Sequence, residues 1–98
     1  MTIEIEPEQV HKKLLAGEQL LIIDVREPWE YVQRHIPGAV NMPVSRFTVS
    51  VPQLPKEPII TVCEHGIRSE TIRAILTRHG YDVLSMRGGM SVWTWEVE

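Results

Sequence analysis

The 98-residue chain is long enough for one compact domain, residues 1–98, and too short for two. Its 10 basic and 13 acidic residues give a net charge of −3, so no basic field favours nucleic acid. One cysteine excludes an internal disulfide, and the N-terminus lacks the basic region and long apolar stretch of a signal peptide. Because no run approaches ~20 apolar residues, we expect no membrane span and a cytoplasmic location.

The first half of the chain predicts two strand–helix units. Residues 3–5 alternate in polarity and predict an edge strand. A helix follows, with Pro7 in its first turn, Gly17 at its end and an apolar stripe of Val10, Leu14 and Leu15. The continuous apolar run 20–25 predicts a strand buried on both faces. Pro28 opens a second helix, which carries Trp29 and Val32 and stops before the turn signal His35-Ile36-Pro37-Gly38.

The second half continues this alternation. Apolar runs at 39–42, 59–63 and 83–86 predict three more strands, while four prolines within 43–58 allow only a short helix. A helix between the last two strands is predicted by the spacing of Ile72, Ile75 and Leu76 and is closed by Gly80. The tail 88–98 predicts a last helix through Met90, Trp93 and Val97. The pattern indicates an α/β domain with a mainly parallel sheet of about five strands and helices on both faces.

Three strand ends are predicted to meet at one crevice. Cys63 ends the strand 59–63, Asp24-Val25-Arg26 ends another, and Arg87-Gly88-Gly89 follows a third. In open α/β sheets, ligands bind beyond the carboxyl ends of the strands. We therefore expect the thiol to face a shared crevice.

The residues after Cys63 favour a thiolate there. A helix beginning near Arg68-Ser69 directs unpaired amides and the positive end of its dipole toward the loop. Gly66 permits backbone conformations that turn several amides inward, toward an anion. Thiolates are stabilised at helix N-termini and beside arginine, and the thiolate is the nucleophilic form. Glu64 would oppose ionisation if it pointed inward, and we expect it to point to solvent.

Several residues have a structural interpretation that competes with the functional one. Cys63 alone is typical of a small packed hydrophobe, but the pattern C-x-x-G-x-R-S at a strand-to-helix turn favours a reactive site. His65 is either a positive charge directed at an anionic substrate or a solvent-facing loop residue. Together Cys63 and His65 supply two ligands where zinc needs three or four, so we expect no metal. Arg87 either lines the pocket or lies on the surface.

Three segments of the sequence resemble the rhodaneses, a family of thiosulfate and persulfide sulfurtransferases. The loop "CEHGIRS", 63–69, is similar to the active-site loop of that family. The segment "DVREPWEYVQRHIPGAVNMP", 24–43, resembles its D-V-R-x-x-x-E-Y/F-x-x-G-H-I-P-G-A-x-N-I/L-P motif, and "RGGMSVW", 87–93, its G-G-x-x-x-W ending. The segments occur in family order and span most of the chain, as in a single-domain rhodanese. Arg34 departs from the pattern, which has glycine at that position.

The resemblance implies a role for each matching residue. Cys63 would attack a sulfane sulfur and hold it as a persulfide, without a metal or organic cofactor. The backbone amides of the loop would cradle that sulfur; they belong to Glu64, His65, Gly66, Ile67, Arg68 and Ser69. Ser69 would add a hydroxyl donor, and Arg68 would face the incoming anion. Asp24 and Arg26 would support the scaffold.

The length of the loop separates two related classes of enzyme. Cys63 through Arg68 is six residues, the length associated with sulfurtransferases, whereas related Cys-dependent phosphatases and arsenate reductases carry one residue more. The resemblance therefore implies transfer of sulfur from thiosulfate or a persulfide donor to a thiol or cyanide. Two alternatives stay open: a sulfur-carrier or docking module with a protein partner, and a phosphatase or arsenate reductase. The expected partners are small sulfur-containing anions, persulfides and a sulfur-donor or acceptor protein, with no nucleic acid and no membrane.

Overall fold

The computed structural model describes residues 3–98, which form a five-stranded parallel sheet flanked by helices. The strands, in the order β1-β5-β4-β2-β3, all pair in parallel with their neighbours. This arrangement confirms the predicted α/β fold. In chain order the elements are β1 (Glu4–Ile5), α1 (Pro7–Leu15), β2 (Leu21–Asp24), α2 (Pro28–Gln33), β3 (Val40–Asn41), α3 (Val44–Val49), β4 (Ile59–Val62), α4 (Ile67–Arg78), β5 (Val83–Met86) and a 3₁₀ helix (Gly89–Val92).

The helices α1 and α2 begin in the same way. In each, a glutamate precedes a proline and forms a capping box with the third helical residue, Glu6 with Gln9 and Glu27 with Glu30. The proline suits this position because a helix's first N–H has no partner inside the helix. Both helices were predicted from these prolines. In the helices of residues 3–98, no segment is long and apolar enough to cross a membrane.

Two hydrophobic layers cover the sheet, one on each face. Ile22, Ile60 and Met86 pack with α1 and the chain after β5, whereas Ile23, Ile59 and Val83 pack with α3 and α4. Successive side chains of a strand point to opposite faces, so strands covered on both sides read as continuous apolar runs. Cys63 belongs to the layer that packs with α4.

The last helix predicted from the sequence is wrong beyond its first turn. Only Gly89–Val92 are helical, and the chain continues without helix or strand to Glu98. Tertiary contacts override the helical pattern: the backbone of Glu98 exchanges two hydrogen bonds with that of His35, of 2.9 and 3.1 Å. Trp95 is half-buried and stacks on His11 with ring centroids 4.7 Å apart. The aromatic residues therefore anchor an extended tail rather than one face of a helix.

Candidate active site

Cys63 lies at the carboxyl end of β4 and is only 1% exposed. The chain turns through residues 64–66, and α4 begins at Ile67, one residue before its predicted start. Gly66 has a positive φ of 93°, a backbone conformation that favours glycine. Its amide donates a hydrogen bond of 3.0 Å to the Cys63 Sγ. The sulfur thus accepts a backbone N–H at the positive end of a 12-residue helix, where negative charge is stabilised.

Buried hydroxyl groups lie beside the sulfur. The Cys63 Sγ is 3.4 Å from the Ser69 Oγ, which is 2.8 Å from the Ser85 Oγ. Thr61 donates a hydrogen bond of 2.9 Å to the carbonyl oxygen of Ser69. The three hydroxyl residues are fully buried, so water does not compete for their hydrogen bonds. Ser69 was among the predicted site residues; Ser85 was missed.

Arg68 forms a bidentate ion pair with Glu30 of α2. Its two terminal nitrogens donate hydrogen bonds of 2.9 and 3.1 Å to the two carboxylate oxygens. These bonds are the main reason that the pKa of Glu30 is lowered and that of Arg68 is raised. Coulombic interaction with the Cys63 side chain also raises the pKa of Arg68, though by less. Arg68 is therefore held at the rim of the site by a carboxylate that the sequence analysis did not assign.

A buried ion pair joins β2 to the loop after Cys63. Arg26, 2% exposed, bonds to both carboxylate oxygens of Asp24, and its Nη2 donates a 2.7 Å bond to the carbonyl oxygen of Arg34. Burial opposes the charge on Arg26, but the hydrogen bond and charge of Asp24 outweigh it and raise the pKa. Glu64 was expected to point to solvent, and this is wrong. Its carboxylate lies 3.3 Å from the Arg26 Nη1 because the buried guanidinium holds it there.

The 3₁₀ helix closes over the carbonyl groups of the Cys63 loop. The Met90 amide donates to the Cys63 carbonyl oxygen at 2.8 Å, and the Ser91 amide donates to that of Glu64 at 2.9 Å. A Cβ at Gly89 would lie 2.3 Å from the Cys63 oxygen, so this close approach requires glycine. The two glycines after Arg87 thus allow the chain that follows β5 to pack closely over the loop that follows β4.

Sequence comparison assigns the chain to a family. The profile of the Rhodanese-like domain family matches residues 6–96. The chain belongs to this family. Among proteins similar to this rhodanese-like domain, a sulfurtransferase of Allochromatium vinosum is 34% identical over 95% of this chain and 89% of its own length. A thiosulfate sulfurtransferase GlpE of Pseudoalteromonas translucida is 38% identical over 83% of this chain and 79% of its own. The crystal structure of a rhodanese-like domain protein from Staphylococcus aureus superposes with a TM-score of 0.88, at 30% identity over 100% of this chain and 97% of that one.

Three basic residues of this rhodanese-like domain take separate positions around the loop. His65 is exposed. Arg87 is about half exposed and pairs with Glu6, beside the β1 end of the sheet. Arg34, which replaces the usual glycine of the family motif, donates a hydrogen bond of 2.8 Å to the Met90 carbonyl oxygen. The departure from the family pattern therefore adds a link between the end of α2 and the 3₁₀ helix.

Two residues at the site were missed by the sequence analysis, and each had a usable signal. Glu30 occupies the glutamate position of the D-V-R-x-x-x-E motif quoted above. Ser85 lies two residues after Val83 in a strand, so it shares the face of the sheet that carries Cys63. A polar residue at an inward position of a buried strand needs a partner, and that partner here is Ser69.

Proposed function

We propose that this rhodanese-like domain is a sulfurtransferase that carries a sulfane sulfur as a persulfide on Cys63. The observation that carries the proposal is the environment of the Cys63 Sγ, with an amide donor at 3.0 Å and a hydroxyl oxygen at 3.4 Å at the start of α4. Such surroundings stabilise an anionic sulfur. The names of the similar proteins from Allochromatium and Pseudoalteromonas support sulfur transfer as the reaction.

The reaction proceeds in two displacement steps that balance in atoms and charge. In the first, the Cys63 thiolate attacks the outer sulfur of thiosulfate. A bond forms between the two sulfurs, the original sulfur–sulfur bond breaks, and sulfite leaves with the electron pair. In the second, cyanide or a thiolate attacks the outer sulfur of the persulfide and leaves as thiocyanate or a new persulfide. Cys63 returns as a thiolate, so no oxidant, reductant or cofactor is consumed.

The loop and its rim divide the binding of substrate between them. The Gly66 amide and the Ser69 hydroxyl lie near the attacking sulfur, and the amides at the start of α4 receive the outer sulfur. The two terminal nitrogens of Arg68 each donate one hydrogen bond to the Glu30 carboxylate, whereas a guanidinium has five N–H donors in all. The remaining donors are available to the sulfonate oxygens of thiosulfate, so Arg68 binds the anion from the rim.

The proposal is tested by intact-mass spectrometry. Wild-type protein mixed with excess thiosulfate should gain the mass of one sulfur atom, which cyanide or dithiothreitol removes. Cys63→Ser is the matched control and should gain nothing while it stays folded, because a hydroxyl lacks the nucleophilicity of a thiolate. Wild-type protein that gains no sulfur would overturn the proposal.

Parallel assays distinguish the other classes of function. Turnover of thiosulfate with cyanide is measured beside hydrolysis of p-nitrophenyl phosphate and reduction of arsenate. We expect sulfur transfer with phosphatase and arsenate reductase activity at background. If a persulfide forms but turnover is not sustained, the result would support a sulfur carrier rather than an enzyme. Ready hydrolysis of the phosphate ester with no use of thiosulfate would support a phosphatase instead of a sulfurtransferase.

A further inference from the structure

Ser85 is a buried hydroxyl residue that the sulfur-transfer mechanism does not use. It lies on β5, is fully buried, and does not contact the sulfur as a hydrogen-bond partner. Within residues 3–98, the hydrogen-bond partner of its hydroxyl is the Ser69 Oγ at 2.8 Å. Ser69 in turn lies 3.4 Å from the Cys63 Sγ. The three side chains form a short row, Ser85–Ser69–Cys63, that runs from the sheet to the reactive sulfur.

The number of hydrogens available for hydrogen bonds in this row depends on whether the sulfur is a thiolate or a thiol. With a thiolate, two hydroxyl hydrogens serve two links: Ser85 donates to Ser69, and Ser69 donates to the sulfur. With a thiol, there are three hydrogens for the same two links, and one of them is left without an acceptor inside the row. A buried polar group without a partner is costly, so the row is complete with the anion.

The direction of the row depends on Ser85. A serine in a helix readily turns its hydroxyl to a backbone carbonyl one turn earlier, and Ser69 is in the first turn of α4. A hydrogen bond received from Ser85 holds the Ser69 oxygen in place and polarises its O–H toward the sulfur. Without Ser85, Ser69 is free to leave the sulfur.

We propose that Ser85 is a positioning residue, which acts through Ser69 to hold a hydroxyl donor on the Cys63 thiolate. The inference rests on the proposed function, because a hydroxyl that favours the anion matters where that sulfur is a nucleophile. Ser85 itself does not contact the substrate or the reacting atoms.

Charged groups also lie on the elements that surround the sulfur and its loop. They come from β2, from the segment after it, from α2, from the loop and from α4: Asp24, Arg26, Glu30, Glu64, His65 and Arg68. None of them contacts Ser85 or the Ser69 hydroxyl. Variants of Ser85 therefore change the row of hydroxyls and leave these charges in place.

The test is a titration of thiolate absorbance in the ultraviolet against pH. The chain has one cysteine, so the difference between each variant and the same variant carrying Cys63→Ser reports one sulfur and removes the tyrosine signal. Ser85→Ala should raise the midpoint of the titration by about half a pH unit, which lowers the thiolate fraction about threefold below the midpoint. Ser85→Thr keeps the hydroxyl and should restore the midpoint of wild type.

Two further variants separate positioning from a general loss of packing. Thr61→Val removes another fully buried hydroxyl, one that contacts the Ser69 carbonyl and not its side chain, and should leave the midpoint unchanged. Ser69→Ala should raise it by at least as much as Ser85→Ala does. Adding Ser85→Ala to Ser69→Ala should then have no additional effect, because Ser85 acts only through Ser69.

The outcomes distinguish this inference from the proposed function. An unchanged midpoint in Ser85→Ala, an equal shift in Thr61→Val, or a full Ser85 effect in the Ser69→Ala background would each overturn the positioning role. The titration needs no substrate, so it measures the effect of the hydroxyl row on the sulfur even in a protein that forms no persulfide. Conversely, persulfide formation with an unchanged midpoint in Ser85→Ala would retain the sulfurtransferase and remove Ser85 from its machinery.

Discussion

Replacement of Gly89 by alanine should be among the most damaging single changes at the site. Gly89 has a positive φ of 63°, and an added Cβ would lie 2.3 Å from the Cys63 carbonyl oxygen and 2.6 Å from the Glu64 carbonyl carbon. Both contacts are with backbone, which cannot turn aside as a flexible side chain would. The loop that carries the thiol must therefore separate from the 3₁₀ helix.

Three effects contribute to the expected cost. A left-handed backbone costs an alanine about 1–2 kcal/mol, overpacking adds about 1–3 kcal/mol, and loss of the Met90–Cys63 hydrogen bond adds about 1–3 kcal/mol. Full additivity would give about 3–8 kcal/mol, and because the three effects overlap we expect a loss near the lower end, about 3–5 kcal/mol. The free energy of unfolding of a small domain is about 5–15 kcal/mol, so the variant should be close to unfolding.

Gly17→Ala is the matched control for this substitution. Gly17 has a similar φ of 69°, but an added Cβ meets no atom within 4 Å. It should cost only the conformational part, about 1–2 kcal/mol. Urea unfolding followed by tryptophan fluorescence measures both variants, and persulfide formation measures the damage to the site. Equal losses of stability in the two variants would refute the argument from close approach.

Three other predictions concern the rim and the length of the loop. Glu30→Gln should destabilise the protein at pH values above the ordinary carboxylate pKa and make little difference in acid. The reason is that a carboxylate whose pKa is lowered in the folded state contributes stability that is lost as the pH falls through that pKa. Equal unfolding curves for variant and wild type at neutral pH would contradict this. Arg68→Ala should weaken use of thiosulfate, a dianion, more than use of a singly charged persulfide donor. The loss should appear as a raised KM if Arg68 binds ground and transition states alike, and Arg68→Lys is the comparison variant. Equal effects of Arg68→Ala on both donors would argue against a role for Arg68 in binding the dianion. One residue inserted between Gly66 and Arg68 should abolish most sulfur transfer because it displaces the amides from the sulfur, and retention of full activity would disprove the argument from loop length.

Local sequence determined most of the sheet and its position relative to the thiol. Continuous apolar runs around Ile23, Ile60 and Leu84 marked strands covered on both faces, because burial on both sides removes the usual alternation. Proline and glycine marked the ends of the helices, since their effects on the backbone act over one or two residues. The same local rules predicted that Cys63 ends a strand and that a helix begins a few residues later.

Only the tertiary structure decided which charges and hydroxyls meet around Cys63. Glu64 turns to Arg26, and Arg68 pairs with Glu30, each across 38 residues of sequence. Helical and strand periodicity describe neighbours a few residues apart, whereas these pairs arise because β2 and β4 lie side by side in the sheet. The tail departs from its helical pattern for a related reason: its aromatic residues and the backbone of Glu98 find partners on α1 and at His35, and these contacts outweigh a weak local preference for helix.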